Sequence, residues 1–288
     1  MEALLQQLSD WLKGMLVDGI MNNLSGMFDA VNQQVADVAT QVGNSPANFS
    51  PAVFGLVRNI SETVIIPIAG MFLTFIACYE LIQLVISHNN LANFETWIFF
   101  KWIFKTFVAV ELITHTFDIT LAVFDVANYV VTHSAGIIAG STAVDASAWG
   151  DIQATLEAMN LGELLLLFLE IFVIGLILKG LVLLITVIVY ARMIEIYLMV
   201  SLAPIPFATF GNREQSMVGQ NYLRSLFALG FQAFLIMICI GIYAVLIRTA
   251  VVSSDILMSL LGVLGYTLLL VFTLFKTGGI ARSIFHAH

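Results

Sequence analysis

Residues 161 to 210 read LGELLLLFLEIFVIGLILKGLVLLITVIVYARMIEIYLMVSLAPIPFATF, with only Glu163, Glu170, Lys179, Arg192 and Glu195 charged. A hydrocarbon core about 30 Å thick takes roughly 20 apolar residues per helix, so this stretch exceeds one straight span and nearly suffices for two. Ala203-Pro204-Ile205-Pro206 accounts for part of the surplus, because two prolines one residue apart remove backbone donors and push the residues before them out of the helical region. The second half is either a broken helix or a helix that ends at Ala203. A break at membrane depth survives only where protein or water satisfies the freed backbone, which puts Pro204 and Pro206 at a bundle interior, a cavity or the membrane edge.

The rest of the chain agrees with a bilayer. Only 10% of its 288 residues are charged, against about 25% in soluble domains, and the mean hydropathy is +0.97. Cys78 and Cys239 lie in apolar segments with no metal or redox spacing, so no disulfide framework is implied. The N-terminus lacks a basic leader, so the first true span is expected to act as the insertion signal. A net charge of −8 argues against docked nucleic acid, whose phosphates are met chiefly by Lys and Arg.

Residues 1–45 are expected to form a long extracytoplasmic amphipathic helix, or two with a bend near Gly19. Leu4, Leu8, Trp11 and Met15, then after a shift Ile20, Leu24, Phe28, Val31, Val35, Val38 and Val42, recur at three and four and read as one apolar stripe. Its polar side carries Glu2, Asp10, Asp18, Asp29 and Asp37 against Lys13 alone, which suits protein better than an anionic lipid surface. The partner is a neighbouring copy or the chain's own bundle. Residues 46–117 hold the first two spans, one at about 64–86 and one starting near Trp97. The second stays helical in pattern to about Val131, some 50 Å, and so is expected to project beyond the membrane.

Between Thr106 and Leu178 there is no Lys or Arg. Residues 118–160 therefore read as an extracytoplasmic acidic loop with a helical extension, residues 161–222 as the long span, its break and a cytoplasmic loop, and residues 223–288 as the last two spans and a cytoplasmic tail. With five spans, Lys101, Lys105, Lys179, Arg192, Arg213, Arg224, Lys276 and Arg282 fall at or near the inner face, against Lys13, Arg58 and Arg248 outside. Folding 161–210 into a two-span hairpin at Lys179-Gly180 would reverse that bias. The pattern thus predicts an all-α polytopic membrane protein with about five transmembrane helices, N-terminus outside and C-terminus inside, with a Pro-broken helix at 190–210.

A charge at mid-span costs on the order of 3 kcal/mol on the insertion scale, so each is a candidate site. Glu111, Asp118 and Asp125 recur every seven residues and fall on one helical face, a lumen-facing stripe or, for the outer two, merely a solvated one. Glu163 and Glu170 share a face, while Lys179 lies about half a turn round from Glu170. Glu170 is thus expected to meet a cation or hydroxyl on another helix, or to be protonated, and Lys179 to snorkel to the inner interface. Arg192 and Glu195, three apart, read as an intrahelical pair. No HExxH spacing, nucleophile elbow or P-loop is present, so the sequence reads as neither enzyme nor ATPase, and implies no cofactor or metal.

The N-terminal run MEALLQQLSDWLKGMLVDGIMNNLSGMFDAVNQQVADVATQVG, the stretch ETWIFFKWIFKTFVAV, and YARMIEIYLMVSLAPIPFATF followed by a polar loop and another span resemble the TrbL-like conjugal transfer proteins. These are polytopic inner-membrane subunits of type IV secretion systems, and the likeness is to the form on Gram-positive integrative elements. The most specific part is the Arg192, Glu195, Pro204, Pro206 pattern with the N-terminal block. The resemblance implies an N-out, C-in subunit with a central extracytoplasmic loop, forming a homo-oligomer at the base of a transfer channel. It also implies partnership with other secretion subunits including a separate ATPase, contact with membrane lipid, and a DNA–protein substrate only in transit. A secondary transporter or ion channel using Glu111, Glu170 and Lys179 is the alternative that the residues leave open.

Overall fold

The computed structural model describes residues 2–87, 96–138, 146–212, 215–251 and 256–287, and among these it is helical with no strand. In chain order the helices are α1 (Glu2–Gly43), α2 (Pro46–Phe49), α3 (Pro51–Ile60), α4 (Ile66–Ser87), α5 (Thr96–Thr114), α6 (Thr116–Ile138), α7 (Ala146–Ala158), α8 (Leu161–Leu202), α9 (Pro204–Ala208), α10 (Ser216–Val251) and α11 (Ile256–Ile284). Four stretches are long and apolar enough to cross a membrane: Pro51–Ser87, Leu161–Gly211, Ser216–Ile247 and Ile256–Ile284. The bent pair α5 and α6 makes a fifth if it is one span, in agreement with the count read from the sequence.

Residues Met1–Val42, Val131–Val189 and Leu235–Thr277 form one compact unit, and Gly43–Val130, Tyr190–Phe234 and Gly278–His288 a second. In the first, α1 runs alongside the opening turns of α8. A Cβ added at Gly19 would lie 3.1 Å from the Phe168 ring and one at Gly175 3.2 Å from the Met27 sulfur, while the Gln34 amide donates to the Thr186 hydroxyl at 3.2 Å. Residue numbers rise together along both helices, so the two are parallel. Leu16, Ile20, Leu24, Phe28, Val38 and Val42 are buried there, and so are Leu164, Ile171, Leu178 and Ile185 of α8. The Tyr243 and Thr267 hydroxyls, 2.6 Å apart, tie α10 to α11 in the same unit.

The single apolar stripe expected on α1 is two. Leu4, Leu8, Trp11 and Met15 are exposed, and the buried positions from Leu16 onward lie on the opposite side, because 16 residues from Leu8 to Leu24 turn the helix by about 160°. Val31 and Val35 fall outside the described side chains, as do residues 213 and 214 of the loop expected to be cytoplasmic and residues 139–145 of the acidic one.

In the second unit three departures from straight α-helix have local causes. Ser61–Ile65 is a π-helical turn directly before Pro67, whose missing N–H and bulky ring the widened turn accommodates. The helix expected to run straight from Trp97 to Val131 is instead bent by 65° between Thr114 and Thr116. Thr114 donates to the Val110 and Glu111 carbonyls, both at 3.1 Å, and Thr116 to those of Leu112 and Ile113 at 2.6 and 2.9 Å. Hydroxyls bonding back into the ladder on both sides of one residue bend a helix. The third departure is the proline pair. Helix α8 ends at Leu202 and α9 begins at Pro204, but Ala203 keeps αR dihedrals, φ −52° and ψ −37°. The expectation that each residue before proline leaves the helical region is therefore not met at Ala203: the hydrogen-bond ladder breaks there while the backbone conformation does not.

Candidate functional site

The proline break is built into a packed corner. Ala203, Phe207 and Ala208 are buried with Ala69 and Leu73 of α4 and Ala109 and Ile113 of α5. At the break the Ala203 N–H donates to Val200 rather than one turn back, and the Tyr222 hydroxyl of α10 donates to the Met199 carbonyl at 2.8 Å. The Thr209 hydroxyl donates to the Pro206 carbonyl at 2.7 Å and accepts from the Gly219 N–H at 3.0 Å. Pro204 has no N–H to offer the Val200 carbonyl, which takes that of Ala203 instead, and the neighbouring Met199 and Pro206 carbonyls take side-chain hydroxyls inside protein, as a break in an apolar run requires. Tyr197, from the preceding turns of α8, reaches the Pro46 carbonyl at 2.8 Å and fastens the entry to α2.

Just before the break lies the charged group of α8. Arg192 is 5% exposed and donates from Nη2 to the Leu229 carbonyl of α10 at 3.3 Å, while its Nε has no hydrogen-bond partner. The Arg192–Glu195 pair expected from their spacing does not form: Glu195 pairs with Arg282 of α11. The physical reason is direction. Arg192 points into a core with Met193, Ile196 and Leu229 buried beside it, whereas Glu195 is half-exposed and meets a cation that reaches it from another helix. Sequence spacing could not see Arg282, 87 residues away. It also missed the Lys105–Glu80 ion pair, which with the Trp102 indole donating to the Ala77 carbonyl at 3.2 Å joins α5 to α4. Two charges near span ends, one in each of two adjacent apolar segments, were the only signal.

Of the acidic series, Glu111 lies before the 65° bend and Asp118 and Asp125 after it, so the three do not continue one straight helical face. Glu111 is 3.4 Å from His115 Nδ1 and exposed. Asp118, also exposed, attracts Arg58, which pairs with Glu62 at 2.7 Å and stacks its guanidinium 5.6 Å from the Phe117 ring centre. Asp125 is exposed.

In the first unit Glu163 has a helix-capping role. Its backbone N–H donates to Asn160 Oδ1 at 2.9 Å, and its carboxylate accepts the Asn160 N–H at 3.2 Å, a reciprocal capping box at the start of α8. Glu163 and Glu170 both line a groove of about 400 Å³ with Thr155, Met159, Leu166 and Ile256. Glu170 is half-buried, and among the described residues it makes no ion pair. Lys179 is exposed, so the two do not converge, as half a turn of helix between them requires. Leu8 is exposed and Leu24 buried. Among the described residues no group of three His, Cys, Asp or Glu side chains could hold a metal ion.

These arrangements hold helices together and satisfy broken backbone; no nucleophile and base are brought together among them. A family model described as TrbL/VirB6 plasmid conjugal transfer like protein matches residues 31–204. That is 174 of 288 residues (204 − 31 + 1), and it runs from the second half of α1 through the acidic loop and the whole of α8 to the first proline of the break. No curated protein and no solved structure matches the chain. A match over more than half the chain, on a helical protein with four to five candidate spans, makes it a multi-pass member of the TrbL/VirB6-like conjugal transfer family and a component of a conjugal transfer apparatus.

Proposed function

We propose that this subunit forms the membrane conduit or its scaffold: copies of the chain assemble at the base of the transfer channel, and a DNA–protein substrate passes through without being chemically changed. The family match over residues 31–204 carries this reading. The buried and paired charges of the spans support it, since Arg192, Glu195, Lys105 and Glu80 are spent on helix contacts rather than on a shared substrate site. ATP hydrolysis comes from a separate partner, the chain having no P-loop. The transporter alternative gains nothing from the geometry, as Glu170 and Lys179 diverge and Glu111 is taken up by His115.

Deleting the gene from its element is expected to abolish transfer of the mobile DNA to recipients while nicking at the transfer origin continues in the donor. Normal transfer would remove the conduit reading, and loss of nicking would move the protein to DNA processing.

In this reading the N-terminus and residues 118–160 are extracytoplasmic and the C-terminus cytoplasmic, from the distribution of Lys and Arg. A cysteine at exposed Gln153 of α7 should react with an impermeant maleimide in intact cells, and one at exposed Gln220 of α10 only after lysis. The reverse pattern would invert the topology.

A further inference from the structure

Helix α1 is one of the more polar of the long helices, yet it lies beside the most apolar one. The outward face of α8 stays apolar and exposed from Leu165 through Leu176, Leu183 and Ile194 to Leu202, 37 residues. At 1.5 Å per residue that is about 55 Å, longer than the hydrocarbon core of about 30 Å, which takes up only part of this face. The α1 contacts at Gly19, Met27 and Gln34 meet α8 at Phe168, Gly175 and Thr186, all within this stretch. Farther along, Gln34 and Val38 close a small cavity of about 10 Å³ together with Val182 of α8, Ile240 and Tyr243 of α10 and Leu270 of α11, so that α1 is enclosed among three spans. Ile240, Tyr243 and Leu270 lie within the candidate spans Ser216–Ile247 and Ile256–Ile284, which is what puts the second half of α1 at bilayer depth.

Its other side does not suit lipid. Asp18, Asn22, Asp29, Gln33 and Thr40 are exposed, and at 100° per residue they fall within an arc of about 60°, opposite the buried Ile20, Leu24, Val38 and Val42. Ser25 and Asp37 flank them. Among the described residues the hydrogen bonds of this face stay within α1: Ser25 to Asp29 at 3.4 Å, Gln33 to Asp37 at 2.8 Å and Thr40 to the Ala36 carbonyl at 2.9 Å. Three carboxylates toward hydrocarbon would cost on the order of 3 kcal/mol each, and a dry contact with another apolar helix would leave them buried without cations.

We propose that this face of α1 lines a water-filled passage at membrane depth, closed by the same face of further copies of the chain. The proposal rests on the conduit reading above and names the helix and residues that form its wall. Water solvates the carboxylates without desolvation cost, and a wall bearing Asp18, Asp29 and Asp37 with no cation on the same face repels a phosphate backbone rather than holding it. On this proposal the second half of α1 lies inside the bilayer, whereas amphipathic spacing alone suggested an extracytoplasmic helix.

The test is the reaction of single cysteines with a charged thiosulfonate, using the full-length protein with Cys78 and Cys239 replaced by Ser, purified into lipid nanodiscs with the particle mass measured on the same sample. Cysteines at Asn22 and Gln33 should react within about tenfold of the rate at exposed Gln153, and those at Leu169 and Leu176 at least about 100-fold more slowly, because only a hydrated thiol ionises. Fast reaction at Leu169 and Leu176 would put this whole stretch outside the membrane and overturn the proposal. An oligomer in which Asn22 and Gln33 react as slowly as Leu176 would overturn the passage while leaving assembly intact. A monomeric particle would remove the assembly reading, and this one with it.

Discussion

Gly219→Val is expected to remove most of the folded protein from the membrane fraction and to lower the melting temperature of what remains in detergent. A Cβ at this position would lie 2.8 Å from the Pro206 carbonyl oxygen and 2.9 Å from the Phe210 ring. The ring could turn, but the carbonyl is backbone and is already held by the Thr209 hydroxyl. Relief would have to come from withdrawing α10 from the proline corner, which breaks the Gly219 N–H bond to Thr209 and the Tyr222 bond to Met199 together. Overpacking alone costs about 1–3 kcal/mol, and each lost bond about 1 kcal/mol more. Gly219→Ala should show the same effect at reduced size, since its single added carbon is the one that clashes. Unchanged accumulation and melting of the Val variant would mean that α10 does not press on the Pro204–Pro206 turn.

That corner also shows where the sequence was informative. Two prolines in an apolar run announce a break, because the donors they lack cannot be supplied by lipid, and the requirement that something else satisfy the neighbouring carbonyls follows directly. Which groups do so was hidden, as Tyr222 is an ordinary residue of a later helix and Thr209 one of many hydroxyls in the chain. The same limit applies to the charges. Glu163 next to Asn160 at a spacing of three is a local pattern and yields a cap, whereas Glu195 had a local partner at a spacing of three and took a distant one. Spacing tells which side chains can meet within a helix, not which of them point into a core. The bend at His115 was obscured for a different reason: Thr114 and Thr116 are common in membrane helices, and only their bonds to the preceding turn, on both sides of one residue, show that the helix turns by 65°. For α1, hydrophobic periodicity identified the helix and its acidic side but merged two oppositely facing stripes. The eye follows a three-and-four spacing across the shift between Met15 and Ile20, where the buried side changes.

Arg192→Met is expected to accumulate at the parental level and melt no lower, while Arg192→Glu should fail to fold. The guanidinium is buried and makes no hydrogen bond or ion pair to a carboxylate, the nearby Glu195 being paired with Arg282, and its Nη2 contact is to a carbonyl within α10 that belongs to the helical ladder. Replacing a buried charge by an apolar side chain of similar length is often neutral or stabilising by about 1–4 kcal/mol, because the desolvation cost disappears with the charge. Glutamate instead would face the Leu229 carbonyl, acceptor against acceptor, with Glu195 one turn away on the same helix, and an uncompensated buried charge costs about 3–5 kcal/mol. Mating assays divide the remaining possibilities. A Met variant that folds and transfers normally assigns Arg192 to packing alone. One that folds but no longer transfers assigns the guanidinium to the working apparatus, through its unpartnered Nε. A Met variant that melts lower by about 3 kcal/mol or more would contradict the argument, since a loss of that size comes from breaking a buried pair. It would place an anion on Nε in the assembled protein, contributed by a neighbouring copy or another subunit of the apparatus.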